Sequence, residues 1–155
     1  MKILYLSCHS VLEYLEVKML HELGYDVFSP GSYVCPQNPG DTLRPGIPGL
    51  VYNPDILEEF HRIGGAHPGE DGKNYLTLDF VNKFDVVWVM HMPRWIEMNW
   101  PVFKASGKRI IWRTIGQSVI STERAMQPYR DQGLEIVRYS PKEYSLPHFC
   151  GADGL

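Results

Sequence analysis

The sequence predicts a single α/β domain: an open parallel sheet with helices packed on both faces, three layers deep. Three observations lead there. Between Ile3 and Phe28 the chain reads apolar run, helical spacing, glycine, apolar run, the opening of a parallel-strand unit. Asp85 to Met90 is apolar on both of its alternating faces, as a central parallel strand is. Each predicted strand is also followed by a short polar stretch, the pattern of a sheet that presents one edge to a ligand.

The elements follow in order. Ile3 to Leu6 is the first strand, and Ser7-Cys8-His9-Ser10 leaves it. Val11, Leu12, Leu15, Met19, Leu20 and Leu23 recur at helical spacing, and Gly24 stops the helix as a C-cap. Tyr25 to Phe28 is the second strand, stopped by Pro30-Gly31. From Ser29 to Pro54 prolines (Pro30, Pro36, Pro39, Pro45, Pro48, Pro54) alternate with glycines (Gly31, Gly40, Gly46, Gly49). Proline removes amide donors and glycine weakens regular structure, so this stretch is expected to be a long, functional or disordered loop.

Asp55 begins a helix reaching about Ile63, with Ile56, Leu57 and Phe60 inward, and a polar stretch from Gly64 to Asn74 follows. Tyr75 to Val81 fits a helix or a short strand; Leu76, Phe80 and Phe84 on one face favour the helix. The strand Asp85 to Met90 ends at His91-Met92-Pro93-Arg94. Trp95 to Phe103 contains a short helix limited by Pro101. Lys108-Arg109 leads into the strand Ile110 to Trp112, which ends in Arg113 to Ser118. Ser121 or Thr122 caps a helix to Gln132, closed by Gly133, and Leu134 to Tyr139 is the last strand. The domain therefore spans residues 1–143 in a Rossmann-like order, and 144–155, without periodicity, is a tail or the start of an interdomain linker.

Composition excludes several classes. With 44% hydrophobic and 21% charged residues, the chain can form a core and is not a disordered polymer. A net charge of -3 speaks against a general nucleic-acid binder. No stretch approaches the roughly 18 apolar residues of a membrane helix, and the N-terminus lacks the pattern of a signal peptide. The 3 cysteines (Cys8, Cys35, Cys150) are too scattered for a disulfide framework, so the expected setting is reducing and cytoplasmic.

Ligands of open parallel sheets bind outside the strand C-terminal ends, where strand order reverses. That rule gathers distant residues onto one rim: His9, His91, Arg94, Arg113 and Lys142, with Ser7, Ser10, Thr114, Gln117, Ser118 and Ser140. Such a set suits an anionic or hydroxyl-rich ligand, because arginine forks onto phosphate or carboxylate and hydroxyls both donate and accept. Each residue also has a plainer reading. His9 can approach the first helix as a cap, His91 can simply end its strand, and Trp88 and Trp112 suit the core. Glu16 reads as solvated surface on the first helix, with Glu13 nearer the rim.

Sharper chemistries find no motif. There is no CxxC, HxxxH or HExxH spacing for zinc, no GxxxxGK[ST] or GxGxxG after the first strand, and no GxSxG elbow. Ser7 and Cys8 stand where a phospho-receiver domain would carry acids, and Cys8 at a strand-to-helix junction has no companion supporting a nucleophilic role.

Lys2 to Leu6 entering a helix, the passage His21 to Val27, Asp85 to Met90, Lys108 to Trp112 and Val137 to Ser140 together resemble the N-terminal domain of B-type glycosyltransferases, the family 4-like ones in particular. The resemblance covers nearly the whole chain. It implies an acceptor-binding domain for a sugar or lipid acceptor, with the nucleotide-sugar donor held by a second domain or partner chain that this sequence lacks, and no cofactor of its own. By position it places Ser7 to Ser10 toward the donor phosphates and the transfer site, with His9 and His91 as the candidate catalytic residues near the reacting hydroxyl. Arg94 and Arg113 to Ser118, with Lys142, would contact acceptor or phosphate. The first loop, Ser-Cys-His-Ser, departs from the glycine-rich loop frequent in that family. The competing expectation is a stand-alone Rossmann-like module that binds a phosphorylated metabolite or a protein without catalysis. A third is a small hydrolase or isomerase using His9 or His91 as base, for which no carboxylate partner is evident.

Overall fold

A computed structural model describes residues 1–6, 10–29, 54–63, 76–90, 93–114 and 119–138. The Pro/Gly stretch, apart from its two ends, the stretch from Gly64 to Asn74 and the tail lie outside the described residues.

The elements are β1 (Lys2–Leu6), α1 (Ser10–Glu22), β2 (Asp26–Phe28), α2 (Pro54–Arg62), α3 (Leu78–Val81), β3 (Val86–Met90), α4 (Pro93–Ser106), β4 (Arg109–Thr114), α5 (Val119–Arg130) and β5 (Glu135–Arg138). The strands form one sheet in the order β2-β1-β3-β4-β5, and every pairing is parallel. The register places Tyr5 beside Trp88 and Met90 beside Arg113. The chain moves outward from β1 to β2, then crosses back to build β3, β4 and β5 on the other side. The reversal therefore falls between β1 and β3, the position outside whose strand C-terminal ends open parallel sheets bind their ligands.

Alternation along the strands divides the core into two layers. Leu4, Leu6, Val87, Val89, Ile110 and Trp112 point to the side covered by α2, α3, α4 and α5, where Phe60, Phe80, Trp95, Ile96, Trp100, Phe103 and Met126 complete the larger core. Ile3, Tyr5, Val27 and Met90 point the other way, against Val17 and Leu20 of α1. Helices thus cover both faces, as expected from the sequence, and in unequal number among the described residues.

Helix α4 shows how the pattern builds the larger layer. Trp95, Ile96, Asn99, Trp100 and Phe103 are its buried residues and recur on one face. Pro101 is exposed and lies inside the helix, which runs on to Ser106 instead of stopping. The buried apolar face on both sides of Pro101 offsets the lost amide bond. Pro128 is carried through α5 in the same way. Asn99 is fully buried and satisfied: its Nδ2 donates to the Trp95 carbonyl at 3.0 Å, and its Oδ1 accepts from the Leu76 amide at 2.7 Å. The 75–81 stretch resolves in favour of a helix, a single turn from Leu78 to Val81 capped by Thr77, whose Oγ1 accepts from the Phe80 amide at 3.2 Å.

Three helices are followed by glycines of positive φ, Gly24 (+86°) after α1, Gly107 (+63°) after α4 and Gly133 (+109°) after α5. After α1 the Gly24 amide donates to the His21 carbonyl and the Tyr25 amide to the Leu20 carbonyl; after α5 Gly133 and Leu134 repeat both bonds. This paired closure satisfies carbonyls that a helix end would otherwise leave open, and it needs a residue without a Cβ at the positive φ.

Candidate functional site

On the α1 side of the sheet, side chains of β1, α1, β3 and β4 form one cluster around a carboxylate. Tyr5 on β1 is fully buried, and its hydroxyl donates to Oε2 of Glu16 on α1 at 2.5 Å. The same hydroxyl lies 3.7 Å from Sδ of Met90 on β3. Arg113 on β4 contacts the other oxygen, Oε1 of Glu16, through Nη1. Trp88 stacks against Tyr5 with ring centroids 6.4 Å apart and planes 22° off parallel. A phenol, a carboxylate and a guanidinium from three distant segments thus occupy the α1 side of the sheet.

Glu16 corrects the expectation of a solvated surface acid: it is 7% exposed. The reason is helix phase. Glu16, Val17 and Leu20 form the inward arc of α1, while Leu15, Met19 and Leu23 are exposed, although the apolar spacing alone grouped them with Leu20. Tyr5 and Arg113 both direct polar groups toward α1, and a buried donor without an acceptor is costly, so the helix turns its acid inward. Burial pushes the Glu16 carboxyl up to about 7, against the Tyr5 hydrogen bond, which lowers it.

The predicted rim residues fall into three groups. Ser7, His9, His91, Gln117, Ser118 and Lys142 lie outside the described residues, and Ser10 is the first residue of α1. Arg113 reaches the α1 side of the sheet, where its charge is matched by Glu16. Arg94 is exposed in the first turn of α4, within the helix layer on the opposite face. Thr114 is 2% exposed and, by alternation with Arg113, faces the larger core in line with Trp112. Adjacent positions predicted to act together are therefore divided by the sheet.

Among the described residues, Oγ1 of Thr114 and Nε1 of Trp88, Trp95 and Trp112 are buried without a hydrogen-bond partner. No group of three histidine, cysteine, aspartate or glutamate side chains gathers there as a metal ion would require. No described helix is long and apolar enough to cross a membrane.

Compared with known proteins, the chain matches no protein-family model and no curated sequence. The arrangement of β1, β3 and β4 around Glu16 is therefore interpreted on its own chemistry. Sequence reasoning missed Glu16, but a signal was present: Tyr5 and Arg113 have the same strand parity as Ile3 and Ile111, so both point to one face and require a polar partner from the helix above.

Proposed function

We propose that this chain is the acceptor-binding half of a glycosyltransferase, acting with a donor-binding domain or partner chain that carries the nucleotide-sugar. The observation that carries the reading is the strand order, whose reversal between β1 and β3 is where open parallel sheets bind ligands, with the Tyr5–Glu16–Arg113 cluster beside it. Its support in sequence is the resemblance of Lys2 to Leu6, His21 to Val27 and Asp85 to Met90 to family 4-like transferases.

On this reading the acceptor lies over the β1 and β3 ends. Arg113, paired with Glu16, holds the strand ends in place beneath the acceptor, and Arg94 offers its charge from the α4 side. Catalysis in the assembled enzyme would rest on electrostatic stabilisation of the departing diphosphate, with His9 or His91 beside the reacting hydroxyl. The chain alone would bind an acceptor weakly and transfer nothing.

The test combines binding and turnover on the 155-residue chain. Amide shifts of Met90, Arg94 and Thr114 are expected to move on titration with sugar acceptors, while incubation with radiolabelled nucleotide-sugars yields no product. Sugar transfer by the pure chain would overturn the half-enzyme reading. Tight calorimetric binding of a sugar phosphate to the isolated chain would replace it with a stand-alone metabolite-binding module.

A further inference from the structure

The chain holds 4 tryptophans, and the sheet treats one of them differently. Trp95, Trp100 and Trp112 are buried in the larger layer, whereas Trp88 on β3 is only half-buried and lies on the α1 side. The register sets Trp88 beside Tyr5 on β1, and the two rings stack with centroids 6.4 Å apart. The one tryptophan that solvent reaches therefore rests against a phenol that is itself fully buried.

The two rings differ in what their protons can do. The Trp88 indole N–H is buried without a hydrogen-bond partner, so an indole that loses an electron there finds no base for its proton. The Tyr5 hydroxyl donates at 2.5 Å to Oε2 of Glu16, while Arg113 engages the other oxygen. A phenol gives up an electron far more readily when a base takes its proton in the same event, because no charged phenol radical has to form. Burial raises the Glu16 carboxyl to about 7, which makes it, once ionised, a stronger base than an exposed acid. Trp100 and Tyr129 supply a comparison: their rings are 5.3 Å apart, yet Trp100 is buried, its indole donates to Gln132, and no described carboxylate accepts from Tyr129.

We propose that Trp88, Tyr5 and Glu16 form a one-electron redox site that takes its oxidising equivalent from a diffusible radical oxidant. The oxidant removes one electron from the Trp88 indole and is itself reduced. Tyr5 returns an electron to Trp88 as its O–H bond breaks, and the proton passes to Oε2 of Glu16. What remains is a restored Trp88, a neutral tyrosyl radical and a protonated Glu16. A small thiolate can reset the site by giving one electron, with the proton returning from Glu16 to the phenol. The site stands independently of the sugar-transfer reading.

The test is pulse radiolysis of the full chain with azide radical, above pH 7 so that Glu16 is ionised, followed by transient absorption. A tryptophan radical should appear first and convert to a neutral tyrosyl radical at a rate independent of protein concentration. Trp88→Phe and Tyr5→Phe should each abolish that conversion. Glu16→Gln still accepts a hydrogen bond but cannot take the proton, so the tryptophan radical should persist. Tyr129→Phe should leave the conversion intact. Trp88→Phe changes a half-buried position and keeps Tyr5 and Glu16 in place, so it decides the matter even where the buried changes disturb folding. A native tryptophan radical that decays without yielding a tyrosyl radical overturns the proposal. So does a conversion that survives Trp88→Phe or Tyr5→Phe, runs unchanged in Glu16→Gln, or vanishes with Tyr129→Phe.

Discussion

Tyr5 and Glu16 are joined by a 2.5 Å hydrogen bond from the hydroxyl on β1 to Oε2 on α1, so the first strand and the first helix share a buried acid. The Glu16 carboxyl is raised from 4.5 to about 7 in the folded chain, mainly by burial. Between those values the folded state holds a proton that the unfolded state has released. The contribution of Glu16 is therefore fully present below pH 4.5 and is lost as pH rises through about 7. Each unit of separation is worth about 1.4 kcal/mol, which limits the loss to on the order of 3 kcal/mol. Urea unfolding across this range should show stability falling with pH in the native chain and a flatter profile in Glu16→Gln.

Arg113→Ala should be destabilising. It removes the guanidinium that contacts Glu16 Oε1, and the buried carboxyl, already raised to about 7, then avoids an unmatched charge by holding its proton. The expected cost is about 1–3 kcal/mol in denaturant unfolding. Combining it with Glu16→Gln should cost less than the sum of the two single changes, and a double-mutant cycle measures that coupling directly.

Asn99→Ala should destabilise by about 1–3 kcal/mol, because the buried Leu76 amide loses the Asn99 Oδ1 acceptor. Hydrogen exchange adds a local readout. Protection of the Leu76 amide should collapse while that of β3 and β4 falls only with global stability.

Gly133→Ala should cost about 1 kcal/mol, since a Cβ is unfavourable at φ +109°. Nothing lies within 4 Å of the Cβ that would be introduced, so the penalty is conformational rather than steric crowding by neighbours. The thermal midpoint should drop without any change in the near-ultraviolet circular dichroism of the tryptophans.

Arg109→Ala should barely move the thermal midpoint. Its two bonds to Glu135, at 2.6 and 2.7 Å, hold the Glu135 carboxyl below its ordinary range, yet the pair is open to solvent across β4 and β5. Any residual effect should fade as salt is added.

Much of the architecture was legible in the chain itself. Val86 to Met90 and Ile110 to Trp112 are apolar on both strand faces, which only a central parallel strand tolerates. Gly24 and Gly133 marked helix ends because a left-handed closure excludes most other residues. Pro101 and Pro128 were less informative. Local preference would stop a helix there, whereas burial of Trp100, Phe103, Met126 and Tyr129 against the sheet carries α4 and α5 past them.

By itself, then, the sequence determined the order and kind of the elements, since periodicity, glycines and β-branched runs are local signals. Tertiary structure decided which side each polar residue occupies. Arg113 and Thr114 are neighbours in the chain and lie on opposite faces of the sheet; Glu16 is an acid that reads as surface and is buried between α1 and the sheet. The physical reason is helix phase relative to the sheet. A rotation of α1 by one residue would exchange Glu16 for Leu15, and burial of Val17 and Leu20 together with the need of Tyr5 and Arg113 for a shared acceptor selects the rotation that is found.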